Sequence, residues 1–106
     1  MRNECAVVTT TTDSEDKAQA LAAGVVEGGL AACAQVYPIG SVYRWEGKVE
    51  SAREWRIDFK TRSALVDELT AFLVGKHDYD TPEVIAVPVT GGHAAYLAWV
   101  TAETRP

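Results

Sequence analysis

The chain has 106 residues, the length of one domain. Apolar residues make up 47% and charged residues 24%, a globular balance that argues against disorder. Ten basic against fifteen acidic residues leave a net charge of −5, which excludes an electrostatic footprint for nucleic-acid phosphates or anionic membranes. Folding at this size buries roughly two-thirds of the unfolded surface, so association with further copies would be a real gain. No apolar run approaches the ~20 residues of a membrane span, and the opening residues do not read as a charged-then-apolar leader. The two cysteines, Cys5 and Cys33, sit in no CxxC pattern. A cytoplasmic single domain over residues 1–106 is the expectation.

The first element is Cys5 to Thr12, β-branched and strand-like. Thr12-Asp-Ser-Glu15 can form a capping box for a helix whose first turn holds Glu15 and Asp16. Ala18, Leu21, Ala22, Val25 and Val26 share one face of that helix, and Gly28-Gly29 stops it. Leu30 to Val36 reads as a second strand, bent at Pro38 and continued from Ser41 to Glu46. Gly47-Lys48 is a plausible tight turn. In the third strand Trp55, Ile57 and Phe59 alternate with Glu54, Arg56, Asp58 and Lys60, one face apolar and the other charged.

A second helix starts near Ser63, with Leu65, Val66, Leu69, Phe72 and Leu73 on one side, and ends near Gly75. His77 to Pro82 is a loop, and Val84 to Val89 a fourth strand whose Pro88 places it at a sheet edge. Gly91-Gly92 turns the chain into a short helix from about Ala94 to Thr101. The order β-α-β-β-α-β plus a terminal helix predicts an α+β, ferredoxin-like fold with a four-stranded antiparallel sheet. In that topology the first and third strands are central, and Pro38 and Pro88 fall on edges.

Several segments together resemble the CutA divalent-ion tolerance family. They are Leu30-Ala-Ala-Cys33, Ser41-Val-Tyr-Arg-Trp-Glu-Gly-Lys48, Phe59-Lys-Thr-Arg62, His77-Asp-Tyr79, Pro82-Glu83 and Tyr96-Leu-Ala-Trp99. The resemblance implies a tight homotrimer, architecturally similar to the PII signalling proteins, linked to tolerance of copper and other divalent cations and without an established catalytic activity. It also implies that Trp45, Glu46, Lys60, His77, Tyr79 and Glu83 lie close together near a subunit boundary, as a ligand-binding or interface cluster. The family usually has His-Pro-Tyr-Glu where this chain has His77-Asp78-Tyr79-Asp80.

Chemistry can be weighed residue by residue. Copper and zinc favour thiolate and imidazole, which singles out Cys33 and His77 as metal ligands, although no pair has diagnostic spacing. The competing reading of Cys33 is a small buried hydrophobe in an apolar strand. That of His77 is a hydrogen-bond partner at a helix end. The 77–80 segment is too short for a calcium loop. A desolvated Lys60 would need a carboxylate, from Glu83 or Glu46. The alternative function is a small-molecule enzyme or sensor using that Lys/His/Glu cluster in an intersubunit cleft. RNA recognition would need a basic, aromatic sheet face, which Glu54 to Lys60 does not provide. The expected partners are therefore divalent metal ions and further copies of the chain, with copper or another divalent cation in place of an organic cofactor.

Overall fold

The computed structural model describes residues 4–106. Its elements in chain order are β1 (Cys5–Thr12), α1 (Glu15–Glu27), β2 (Cys33–Trp45), β3 (Lys48–Arg62), a single 3-10 turn (Ser63–Leu65), α2 (Val66–Lys76), β4 (Val84–Pro88) and α3 (Ala94–Ala102). All pairings are antiparallel and the sheet order is β2-β3-β1-β4. The ferredoxin-like expectation holds, with β1 and β3 central and both prolines on edge strands.

Strand alternation divides the sheet into two faces. Val8, Ile57, Phe59, Ala34 and Val36 point toward α1 and α2 and meet Ala18, Ala22, Val25, Leu69 and Leu73 in the main core. Phe59, Ile57, Val8, Leu69 and Leu73 are fully buried, each contributing about 1.5–3 kcal/mol of apolar transfer. On the opposite face, at the end where β1 begins, α3 lays Val100 and Leu97 against Cys5 and Ala32. The rest of that face carries Thr9, Thr11, Glu54, Arg56, Asp58 and Lys60.

Local chemistry corrects several sequence-based boundaries. The N-cap of α1 is Ser14, not Thr12: its hydroxyl accepts the Lys17 amide at 3.1 Å, so the capping box over Thr12–Glu15 does not form. Thr12 instead belongs to the β1 ladder, opposite Trp55. The other end of α1 closes in a Schellman motif: the Leu30 amide reaches the Val25 carbonyl and the Gly29 amide the Val26 carbonyl. Gly29 sits at φ +75, a left-handed position that favours glycine. This motif consumes Leu30, so β2 starts at Cys33.

Pro38 does not break β2. It sits opposite Trp55 in an edge strand, where a missing N–H is tolerated. The hairpin joining β2 to β3 pairs Trp45 directly with Lys48, so its two loop residues are Glu46 and Gly47, at φ +50 and +80. Two positive φ values make this a type I′ turn, whose twist matches the strands. Beyond Thr12, β1 ends while β2 and β3 continue together, so the hairpin overhangs the layered part of the molecule.

Candidate functional site

The loop after α2 folds back beside that overhang. His77 is the C-cap of α2, its amide donating to the Leu73 carbonyl at 3.0 Å. Its ring is buried, with Nε2 2.6 Å from the Thr11 carbonyl and Nδ1 accepting the Tyr79 amide at 3.1 Å. That is the pattern of a neutral ring carrying its proton on Nε2. Asp78 Oδ1 stands 3.6 Å from Nδ1, but the nitrogen is already an acceptor, so the contact is not an ion pair. The ring holds the loop in place, with Tyr79 tilted against it at a centroid distance of 4.6 Å. Lys17 of α1 fastens the outside of the loop through Asp78, and also binds Asp13.

Tyr79 then reaches the sheet. Its hydroxyl donates to Glu54 Oε2 at 2.8 Å. Burial, and next the hydrogen bond to Glu54, push the Tyr79 phenol well above its usual pKa, so it remains a donor. Glu54 is only 8% exposed. Around this pair opens a cleft of about 700 Å³ between the hairpin and the loop, lined among others by Ile39, Ser41, Tyr43, Trp45, Arg56 and Glu83.

Next to the cleft, three strands share one carboxylate. Asp58 Oδ1 accepts Thr9 Oγ1 at 2.9 Å and Arg56 Nε at 3.4 Å, and its Oδ2 accepts the Tyr37 hydroxyl at 2.8 Å. Burial raises the Asp58 pKa, but the bonds from Tyr37, Thr9 and Arg56 outweigh it and leave the group below the ordinary carboxylate range. The same hydrogen bond raises the Tyr37 phenol. The charged face of β3 is thus a cross-strand network and not a simple solvated surface.

The expected cluster is assembled only in part within the protomer. Trp45, Tyr79 and Glu83 line the cleft, and His77 lies beneath Tyr79. Glu46 sits in the hairpin turn at φ +50 and is not among the residues lining the cleft. Lys60 is elsewhere: it pairs with Cys33 and Val7 in the ladder and its ammonium donates to Gln35 Oε1, so neither Glu83 nor Glu46 is its partner. Lys60 and Lys48 bound most of β3, a separation of roughly 40 Å at ~3.3 Å per residue.

The two expected metal ligands also lie apart. Cys33 stands at the start of β2, half-buried, with Sγ 3.3 Å from the Tyr96 hydroxyl. That contact comes first among the causes that push the Tyr96 phenol up to about 12. The buried-hydrophobe reading belongs instead to Cys5, whose thiol contacts the Leu97 carbonyl. His77 has both nitrogens engaged and offers no lone pair to an ion. Among the described residues no three His, Cys, Asp or Glu side chains are grouped to hold a metal.

Glu54, Arg56 and the Asp58–Tyr37–Thr9 network were not singled out by the sequence. The signal was present in the alternation of β3, where Glu54, Arg56 and Asp58 share a face. Thr9 stands opposite Asp58 and Thr11 opposite Arg56 in the β1–β3 ladder, and Thr9 ties its strand to that face through the Asp58 carboxylate.

The sequence profile described as CutA1 divalent ion tolerance protein matches residues 6–103. The chain belongs to this family. It is 45% identical over 100 residues to the chloroplastic protein CutA of Arabidopsis thaliana, an alignment covering 93% of the chain and 55% of the plant protein. It is 42% identical over 103 residues to the divalent-cation tolerance protein CutA of Citrobacter koseri, covering 96% of the chain and 90% of that protein. The crystal structure of CutA1 from Oryza sativa superposes with a TM-score of 0.93 at 42% identity, covering 96% of the chain and 94% of that structure. The chain spans about half the length of the plant and animal relatives it matches. The family carries the same four-stranded, three-helix fold, so both the resemblance and the architecture expected from the sequence stand.

Proposed function

We propose that this chain is a homotrimeric divalent-cation tolerance protein that acts by binding and not by catalysis, with copper as the cation its chemistry favours. Family membership supports the link to divalent cations. One observation carries the assembly: the overhanging hairpin exposes Val42 and Val49 by 74% and 64%, although their own sheet cannot cover them. The β4 edge adds Ile85 and Val87, each half exposed. Apolar side chains beside unpaired strand edges are what a second copy covers. Closed threefold contact would bury both edges without leaving one open for further growth.

A binding role fits the donor set better than a catalytic one. The only histidine near the cleft, His77, is committed to two backbone groups and has no free nitrogen for proton transfer. Cys33 supplies a soft, half-buried sulfur suited to copper, with the remaining ligands drawn from a neighbouring copy or from solvent. Cytoplasmic residence remains the reading for this chain, beside a plant relative that is named chloroplastic.

Sedimentation velocity at micromolar concentration tests the assembly. The wild type is expected to sediment as three copies, and Val42→Asp with Val49→Asp as a smaller species with an intact far-ultraviolet spectrum. A wild-type single subunit would refute the trimer. Copper titration tests the ligand: Cys33→Ser is expected to weaken uptake and His77→Ala to leave it unchanged, and equal binding in wild type and Cys33→Ser would reject the thiolate.

A further inference from the structure

The last helix is fastened to the sheet by a small core of its own. Val100 is the one buried residue of α3, and it meets Cys5 and Ala32, with Leu97 and Val89 partly buried beside them. Among the described residues this cluster has three buried members, against eleven in the main core on the other face. The Cys5 thiol is buried beneath the helix and donates to the Leu97 carbonyl at 3.8 Å. A groove of about 250 Å³ runs between α3 and the segment from Val89 to Gly91, with Cys5 in its wall, so the packing over this sulfur is incomplete.

The two ends of α3 are held differently. Its start follows an exposed Gly91-Gly92 link, His93 gives it no side-chain cap, and Ala94 to Tyr96 are exposed. The Tyr96 hydroxyl rests 3.3 Å from the Cys33 sulfur. Its far end is clasped by polar groups. Arg62 of β3 donates from Nε to Thr104 Oγ1 at 3.1 Å and from Nη2 to the Arg105 carbonyl. The Arg105 amide donates to the Gly29 carbonyl at 2.9 Å, and its guanidinium pairs with Glu68 of α2. Arg62 stands directly opposite Cys5 in the β1–β3 ladder, so the clasp and the covered thiol are cross-strand neighbours.

Few buried apolar groups, a glycine link and a polar clasp are the features of a segment that opens by itself, below the free energy of global unfolding. We propose that α3 is a hinged cover on the sheet: it lifts on the Gly91-Gly92 link, uncovers the Cys5 thiol and withdraws Tyr96 from Cys33, and the Arg62 clasp sets how often it does so. The inference extends the reading of Cys33 as the copper-binding sulfur, because that sulfur loses its Tyr96 contact when the cover lifts. Its test uses no copper and compares no oligomers, so the cover and the copper reading fail separately.

Iodoacetamide labelling of the full chain at constant pH, read by peptide mass spectrometry, follows Cys5 and Cys33 separately. Cys5 is expected to react about tenfold or more faster than global opening allows, with global opening taken from amide exchange at Phe59, and at a rate that barely changes in low urea. Arg62→Lys keeps the charge and the aliphatic stem but not the fork that makes both bonds. It is expected to speed Cys5 labelling about tenfold, the scale of one lost hydrogen bond, and to leave Phe59 exchange unchanged. Amide exchange in α3 is the second readout. A lifted helix of nine residues does not hold its own hydrogen bonds, so these amides should accelerate by the same factor. Cys5 labelling that tracks Phe59 exchange, with the same rise in urea, would overturn the proposal, because α3 would then open only when the whole chain does. Fast labelling that is indifferent to Arg62→Lys would overturn it equally, because the reagent would then reach Cys5 along the groove past a closed helix.

Discussion

At the base of the sheet, Ile57 and Phe59 are sealed from water by two helices, whereas in the hairpin beyond Pro38 the same alternation leaves Val42 and Val49 mostly exposed. Both regions are one continuous antiparallel ladder with one register. The ladder therefore does not distinguish them; what lies on its face does. At the base, β3 has β1 on one side and α1 and α2 against it. Past Thr12 it has only β2, and its apolar groups wait for a partner. The cleft sits at the boundary between the two regions, where the loop after α2 can still reach the ladder through Tyr79 and Glu54.

The largest expected effect lies at the base. Phe59→Ala removes a fully buried ring and is expected to cost about 3–5 kcal/mol, from the lost transfer energy and the cavity left behind. Urea unfolding should show it equally at every protein concentration. Val42→Ala should cost an isolated chain no more than ~0.5 kcal/mol, with any larger loss appearing only where copies associate. A Val42→Ala loss as large as that of Phe59→Ala and independent of concentration would erase the distinction between the two regions.

The boundary region gives an intermediate effect with a pH signature. Asp58 is held below its ordinary pKa by Tyr37, Thr9 and Arg56. A depressed carboxyl contributes stability that is full above the unfolded value of about 3.9 and is lost as pH falls through the folded value. Asp58→Asn is therefore expected to cost about 1–2 kcal/mol at neutral pH, with the gap to wild type closing below about pH 4. Chemical unfolding across pH 2–7 would check it; a gap that stays constant would mean that the carboxylate charge is not what the three donors hold.

How much of this was legible in the sequence follows from the range of the forces involved. The period-2 and period-3.6 patterns report burial by neighbours in the sheet and helices, so Val8, Ile57, Phe59, Leu69 and Leu73 were readable, and the element order gave the strand order, with which the edge prolines agree. Boundaries set by single hydrogen bonds were not. Thr12 and Ser14 are chemically alike as caps, and only the β1 ladder decides between them. The candidate site was half legible for the same reason. Trp45, Tyr79 and Glu83 came from a family resemblance and do meet at the cleft. Lys60 was grouped with them by the same resemblance, and within one protomer its strand position sets it opposite Cys33 and beside Gln35, away from the cleft. Glu54 was invisible as a site residue because nothing local marks a charged strand residue as buried. The loop that covers it arrives 25 residues later, with Tyr79.

The most local effect belongs to the hairpin tip. Gly47 sits at φ +80, where a β-branched side chain is strained, so Gly47→Val should disfavour the type I′ turn by about 1–2 kcal/mol. The strain has a cheap escape. No heavy atom lies within 4 Å of where a side chain would start at Gly47, and the tip residues Tyr43 to Glu50 are all exposed. The turn can therefore open without disturbing the base, and the cost to global stability is capped by the free energy of that local opening. Amide exchange is expected to accelerate at the tip while the urea midpoint falls by less than in Asp58→Asn. If instead the midpoint falls with no change in tip exchange, the overhang and the base unfold as one cooperative unit, and the contrast between them is one of exposure alone.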